Sequence, residues 1–78
     1  MADRAATQQR LGRAVKTVRV RHGLTQEQVS AASGLHPTYI SDIERGARNP
    51  SWDAISRLAG GIGVTVAEIG KEYDAQVP

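Results

Sequence analysis

The strongest constraint on this chain is its punctuation. Glycines at 23, 34 and 46 fall where helices stop, and Gly23 fits the left-handed position that ends one. Each is followed within a few residues by a helix-starting signal, namely Thr25, Pro37 and Ser51. The segments between are too short to be stable alone as helices. Strand-type alternation is missing, Phe is absent, and only Tyr39, Trp52 and Tyr73 are aromatic. A chain built this way folds as short helices that bury one another's apolar sides.

Five helices are expected. The first runs from about Asp3 to His22, with Leu11, Ala14, Val15 and Val18 as its apolar stripe. The second opens on a capping box, Thr25-Gln26-Glu27-Gln28, carries Val29 and Ala32 inward and ends at Gly34. The third starts with His36 as cap and Pro37 at the first helical position, where a missing N–H costs nothing. Its Ile40 and Ile43 face one way, and Gly46 stops it. Ser51 caps the fourth, with Trp52, Ile55, Leu58, Ala59 and Ile62 inward; Gly60 and Gly61 predict fraying or tightening of its last turn. A second capping box, Thr65 to Glu68, opens a fifth helix with Val66 and Ile69 inward and Gly70 as its end. Residues 1–70 read as one domain and 71–78 as a flexible polar tail. One core collects Leu11, Val15, Val18, Leu24, Val29, Leu35, Ile40, Ile43, Trp52, Ile55, Leu58, Ile62, Val64 and Ile69.

With 78 residues there is room for one domain, whose stability is marginal. No cysteine means no disulfide framework, thiolate metal site or thiol nucleophile, and His22 and His36 alone do not make a metal site. No cofactor, small-molecule ligand or catalytic constellation is legible. No apolar run is long enough for a membrane span or a secretion signal, so a cytoplasmic location is expected. The net charge of +2 hides an asymmetry: residues 1–50 hold eight Lys/Arg against four Asp/Glu, and residues 51–78 hold two against four. A basic region with an acidic remainder points mildly to a polyanionic partner.

The helices on either side of Gly34 carry the functional signal. A short helix, a tight turn with Gly and a second short helix make a helix-turn-helix, whose second helix enters the DNA major groove. Gly23-Leu24-Thr25-Gln26-Glu27-Gln28-Val29-Ser30, then Ser33-Gly34-Leu35, then Tyr39 through Ser51, resemble the Cro/repressor-type (XRE-like) helix-turn-helix family. Leu58-Ala59 and Ile62 through Ile69 are similar to that family's closing helices. The resemblance covers roughly residues 10–70. It implies an all-α five-helix domain, binding to double-stranded DNA and a two-fold homodimer on an inverted-repeat operator, with the helix at about 36–45 in the major groove.

The resemblance also assigns roles. Gln26 matches a residue that touches a phosphate and braces the reading helix, and Arg19 and Glu44 match a structural ion pair. His36 is a cap residue near DNA. Pro37, Thr38, Ser41 and Asp42 match base-reading positions. Thr38 can serve either kind of base, whereas Asp42 could accept from a cytosine amino group or pair with Arg45 or Arg48. Tyr39 is either a backbone contact or a partly buried packing residue. Arg45, Arg48 and Asn49 suit phosphate oxygens. Most basic residues of the first helix read as solvated.

Four positions depart from the family pattern. Pro37 removes a hydrogen-bonding base reader. Ser30 places a hydroxyl that needs a partner, such as the carbonyl of the preceding turn. Gly61 replaces a helix-favouring alanine, and Gly70 a bulky apolar residue. Trp52, Ile62, Val64, Val66 and Ile69 are the candidates for a dimer face, with intramolecular core as the other reading for most. A transcriptional regulator is the leading function; the alternative is an antitoxin or other protein-interaction module, and no enzyme chemistry is expected.

Overall fold

The computed structural model describes residues 3–76. Within it the chain forms α1 (Arg4–Arg21), α2 (Gln26–Ser33), α3 (Pro37–Glu44), α4 (Trp52–Ile62) and α5 (Val66–Ala75). α1 lies between α3 and α5, and α2 packs mainly on α4 and on α3.

Local chemistry explains the boundaries. The Asp3 carboxylate accepts from the Ala6 N–H at 2.7 Å, the Ser51 hydroxyl from Ala54 and the Thr65 hydroxyl from Glu68. At α2 the capping box is complete: Gln28 N–H donates to the Thr25 hydroxyl, and the Gln28 side chain accepts from the Thr25 N–H. At α5 only the Thr65 half of the expected box forms. Around Gly46, which has φ 77°, Ala47 N–H reaches back to the Asp42 carbonyl at 2.8 Å and ends α3.

The sequence-based expectation fails in particular places. α5 does not stop at Gly70 but runs to Ala75, so most of the expected flexible tail is helix. The reason is tertiary. Arg10 Nε donates to the Tyr73 carbonyl at 2.8 Å, its NH2 group reaches the Asp74 carbonyl at 3.3 Å, and its guanidinium lies 4.3 Å from the centre of the Tyr73 ring. Carbonyls otherwise left open at the helix end are thereby satisfied. Residues 77 and 78 of the expected tail lie outside the described residues. On α2 the inward pair is Val29 and Ser33, four apart, while Ala32 is exposed. Trp52, expected in the core, is 71% exposed. Of the dimer candidates, Ile62 and Ile69 are buried within the chain's own core, where Val15, Val18, Val29, Ile40, Ile43 and Leu58 join them, and Val64 and Val66 are partly buried against it.

Two glycines set helix spacing. A Cβ on Gly12 would lie 2.6 Å from the Glu44 carbonyl oxygen, so α1 meets the α3 backbone directly. A Cβ on Gly61 would lie 2.9 Å from Ser33 Cβ and 3.1 Å from the Val29 carbonyl oxygen. Gly61 is thus the close-approach point of α4 on α2. Its neighbour Gly60 faces open space. The helix stays intact to Ile62 and tightens only at its last bond, where Gly63 N–H is shared between the Ala59 and Gly60 carbonyls. Ser30 finds its partner ahead rather than behind: its hydroxyl donates to the Leu35 carbonyl at 2.5 Å, across the turn between α2 and α3.

The charged centre of the fold joins three helices. Arg19 of α1 donates twice to Glu44 of α3, from Nε at 2.6 Å and from NH2 at 2.9 Å, and its NH1 group donates to the Leu24 carbonyl at 2.8 Å. Gln26 of α2 adds a bond to the same carboxylate at 3.0 Å. The Arg19 and Glu44 side chains are only 11% and 3% exposed. A second pair, Arg21 with Glu72 at 2.5 Å, ties α1 to α5 near the surface.

Gly60→Ala should stabilise the fold by about 0.8–1 kcal/mol through helix propensity. Gly61→Ala should destabilise it by about 1–3 kcal/mol through overpacking, and urea unfolding of the two variants reads the opposite signs. Glu44→Ala leaves Arg19 buried without its partner and should cost about 3–5 kcal/mol, whereas the double replacement Arg19→Met with Glu44→Leu should cost less than Glu44→Ala. The hydrogen bond from Arg21 holds the Glu72 carboxyl below its ordinary range. The contribution of that pair is therefore complete above the ordinary glutamate value and is lost as pH falls through the lowered one. A stability gap between wild type and Glu72→Gln should accordingly close on acidification.

Candidate nucleic-acid interface

α3 is eight residues long and cannot persist as an isolated helix. Its position comes from three anchors. Ile40 and Ile43 are buried in the core. Gly12 lets α1 press on its C-terminal carbonyls. Glu44, its last residue, is held by Arg19 and Gln26. What remains free is the other face of α3 and its N-terminal turn.

That turn is well defined. His36 caps α3 with its ring: Nδ1 accepts from the Thr38 N–H at 3.0 Å, which leaves Nε2 as the ring's donor. Gly34, with φ 78°, makes the sharp reversal from α2 into this turn. Pro37 occupies the start of the helix and is half-buried, while His36 and Thr38 are exposed. Ser41, one turn after Thr38, is half-buried on the helix surface. Thr38 and Ser41, three residues apart, thus offer hydroxyls from one side of α3.

Asp42 is engaged within the chain, in an ion pair with Arg45 three residues on. Of the two roles weighed for it, pairing is the one the geometry displays. Tyr39 is half-buried and packs against the core, and the Arg48 guanidinium lies 5.2 Å from the centre of its ring. This contact places Arg48 beside the reading helix although it belongs to the loop after it. Arg45, Arg48 and Asn49 are all exposed. Gln26 stands at the first position of α2, half-buried, with its amide nitrogen on Glu44.

Elsewhere on α1 the basic residues divide. Arg10, Arg19 and Arg21 are bound to other parts of the chain, whereas Arg4, Arg13 and Lys16 are exposed on the helix surface. The sequence reading missed the Arg10 contact with Tyr73 and the backbone approach at Gly12. Neither has a local signal, because each joins residues far apart in the chain. Among the described residues no cluster of three or more His, Asp or Glu could hold a metal ion, and no helix is long and apolar enough to cross a membrane.

The comparisons with known proteins agree with this geometry. Residues 10–70 match the helix-turn-helix domain family. An uncharacterized HTH-type transcriptional regulator, y4dJ, of Sinorhizobium fredii is 47% identical over 47 residues, which span 60% of this chain and 61% of that protein. The control protein C.BamHI of Bacillus amyloliquefaciens is 43% identical over 54 residues, 68% of this chain and 67% of its own. The crystal structure of the restriction-modification controller protein C.AhdI from Aeromonas hydrophila superposes with a TM-score of 0.76 at 32% identity, covering 80% of this chain and 94% of that one. With α2, the turn, α3 and α4 wholly inside the matched span and most of α1 with them, the chain belongs to the helix-turn-helix family of DNA-binding transcriptional regulators.

Proposed function

We propose that this chain regulates transcription by occupying an inverted-repeat operator as a homodimer, each copy laying α3 in the major groove. The observation that carries this reading is the placement of α3: both its apolar residues and its C-terminal carboxylate are fixed, while its N-terminal turn is exposed. Thr38 and Ser41 are the base readers, and Pro37 shapes the entry without donating a hydrogen bond. Arg45, Arg48 and Asn49 supply contacts to the backbone, Arg48 from its seat on Tyr39. Gln26 turns its second function toward a phosphate while bracing Glu44. Asp42 acts through Arg45 rather than on a base.

The relatives called control proteins, and the solved controller structures, support regulation by a small domain of this kind. They do not favour the antitoxin alternative. A cytoplasmic location and the lack of enzymatic activity follow from the same reading.

Binding to an inverted repeat, with affinity falling steeply as salt rises, is the expected result of a titration against specific and random duplexes. Equal weak binding to every sequence would sink the proposal. In the same assay Thr38→Ala should change sequence preference, with about 1–3 kcal/mol of discrimination lost at one base position. Arg48→Ala should weaken all sites alike and reduce the salt slope by about 1. Uniform loss in both variants would refute the division between reading and anchoring.

A further inference from the structure

We propose that the His36 ring makes sequence recognition proton-dependent: neutral, it caps α3 and holds the reading turn, and protonated, it releases that turn, so that preference among sequences falls on acidification while adhesion to DNA does not. The inference deepens the major-groove reading above and rests on it.

The other helices are capped by oxygens, those of Asp3, Thr25, Ser51 and Thr65, which accept hydrogen bonds throughout the neutral range. α3 alone is capped by an imidazole, a group that ordinarily changes charge between about pH 5 and 8. Its Nδ1 accepts the Thr38 N–H at 3.0 Å, which requires a lone pair on that atom. A protonated ring carries hydrogens on both nitrogens and accepts nothing. It also brings a positive charge to the positive end of the helix. Pro37 has no N–H, so Thr38 is the first amide that α3 must satisfy from outside. The residue that loses its anchor is therefore the one whose exposed hydroxyl is assigned to base reading. In a helix of eight residues, the freed first turn is a large part of the reading surface.

The charges around the ring leave it free to respond. α3 packs on α1 and α2. The charge that α1 turns to it is Arg19, closed on Glu44 at the opposite end of α3. α2 carries one charged residue, Glu27, in its first turn and away from Gly34. Arg57 of α4 reaches the turn, with Nη1 3.7 Å from where a Cβ on Gly34 would stand, and its Nε is held by Asp53. Further along, Asp42 pairs with Arg45, and Arg48 lies over Tyr39. Among the described residues no carboxylate is paired with the ring, which is exposed to solvent. An imidazolium released here is a cation beside a polyanion, so the sequence-independent part of binding does not weaken with the cap.

The test uses two probes, a duplex that the chain itself selects from a random pool in mildly alkaline buffer and a scrambled duplex of the same composition. Each is titrated at fixed salt from mildly alkaline to mildly acidic buffer, in a His22→Gln background that leaves His36 as the chain's imidazole. The ratio of the two affinities should fall about fivefold on acidification, the scale of a lost helix cap, while affinity for the scrambled duplex does not fall. His36→Asn, a cap that does not titrate, should keep the high ratio throughout, and His36→Ala should show the low ratio throughout. In the free chain the Thr38 amide resonance should follow the titration of the His36 ring. A ratio that stays flat, or that falls equally in His36→Asn, overturns the proton dependence alone, as does a Thr38 amide that ignores the ring. A pool that yields no preferred duplex overturns the sequence-specific reading and this inference with it.

Discussion

A buried carboxylate holds this domain in register. Glu44 ends α3, and its two oxygens take both the forked guanidinium of Arg19 and the amide of Gln26, so one side chain fixes the mutual placement of α1, α2 and α3. Burying such a pair is costly, and only good geometry with every donor matched offsets the cost. That condition is met, for the third Arg19 nitrogen donates to the Leu24 carbonyl and no buried side-chain polar atom lacks a partner among the described residues. The hydrogen bond that Arg19 donates to Glu44 also raises the Arg19 pKa above its ordinary value, against the desolvation that would lower it. The guanidinium is therefore a permanent charge at the junction. Apolar contacts alone would let α3 slide along α1; a bidentate ion pair does not.

What could be read in the sequence was what local chemistry decides. Thr25, His36, Ser51 and Thr65 each cap the helix they precede, as their side-chain oxygens or ring nitrogen suggest. The apolar positions of α3 were equally plain, because Ile40 and Ile43 share a face at helical spacing. The failures lie where distant residues decide. Gly70 looks like a stop, yet a glycine costs a helix only about 1 kcal/mol, and Arg10 at the far end of α5 outweighs it. Gly61 looks like a weak spot until Ser33 is seen against it. Trp52 looks like core by residue type, but a position in the first turn of α4 turned it to solvent. In the reading surface, the exposed hydroxyl of Thr38 was predictable, whereas the seating of Arg48 on Tyr39 needed the loop's path.

The division of charge along the chain also changes meaning. Two of the acidic residues after position 50 are engaged with arginines of the same chain. Glu72 binds Arg21, while Asp53 binds Arg57. Arg10 is engaged with carbonyls rather than carboxylates. The basic groups on α1 that are exposed to solvent and not bound within the chain, Arg4, Arg13 and Lys16, are fewer than the composition suggests. Arg48 and Asn49, beside α3, gain weight accordingly. Beside α3 itself Arg45 is held by Asp42, so Arg48 on its Tyr39 seat is the cation there that no carboxylate engages among the described residues.

The docking of α5 against α1 has a consequence for how the domain comes into being. α1 emerges before α5, yet each covers the other, and α3 rests on α1 at the close approach of Gly12. During synthesis, the helices already emerged lack the partner that completes their packing. A chain ended before α5 therefore leaves α1 uncovered on one side, and α3 then rests on a helix that has lost part of its own packing.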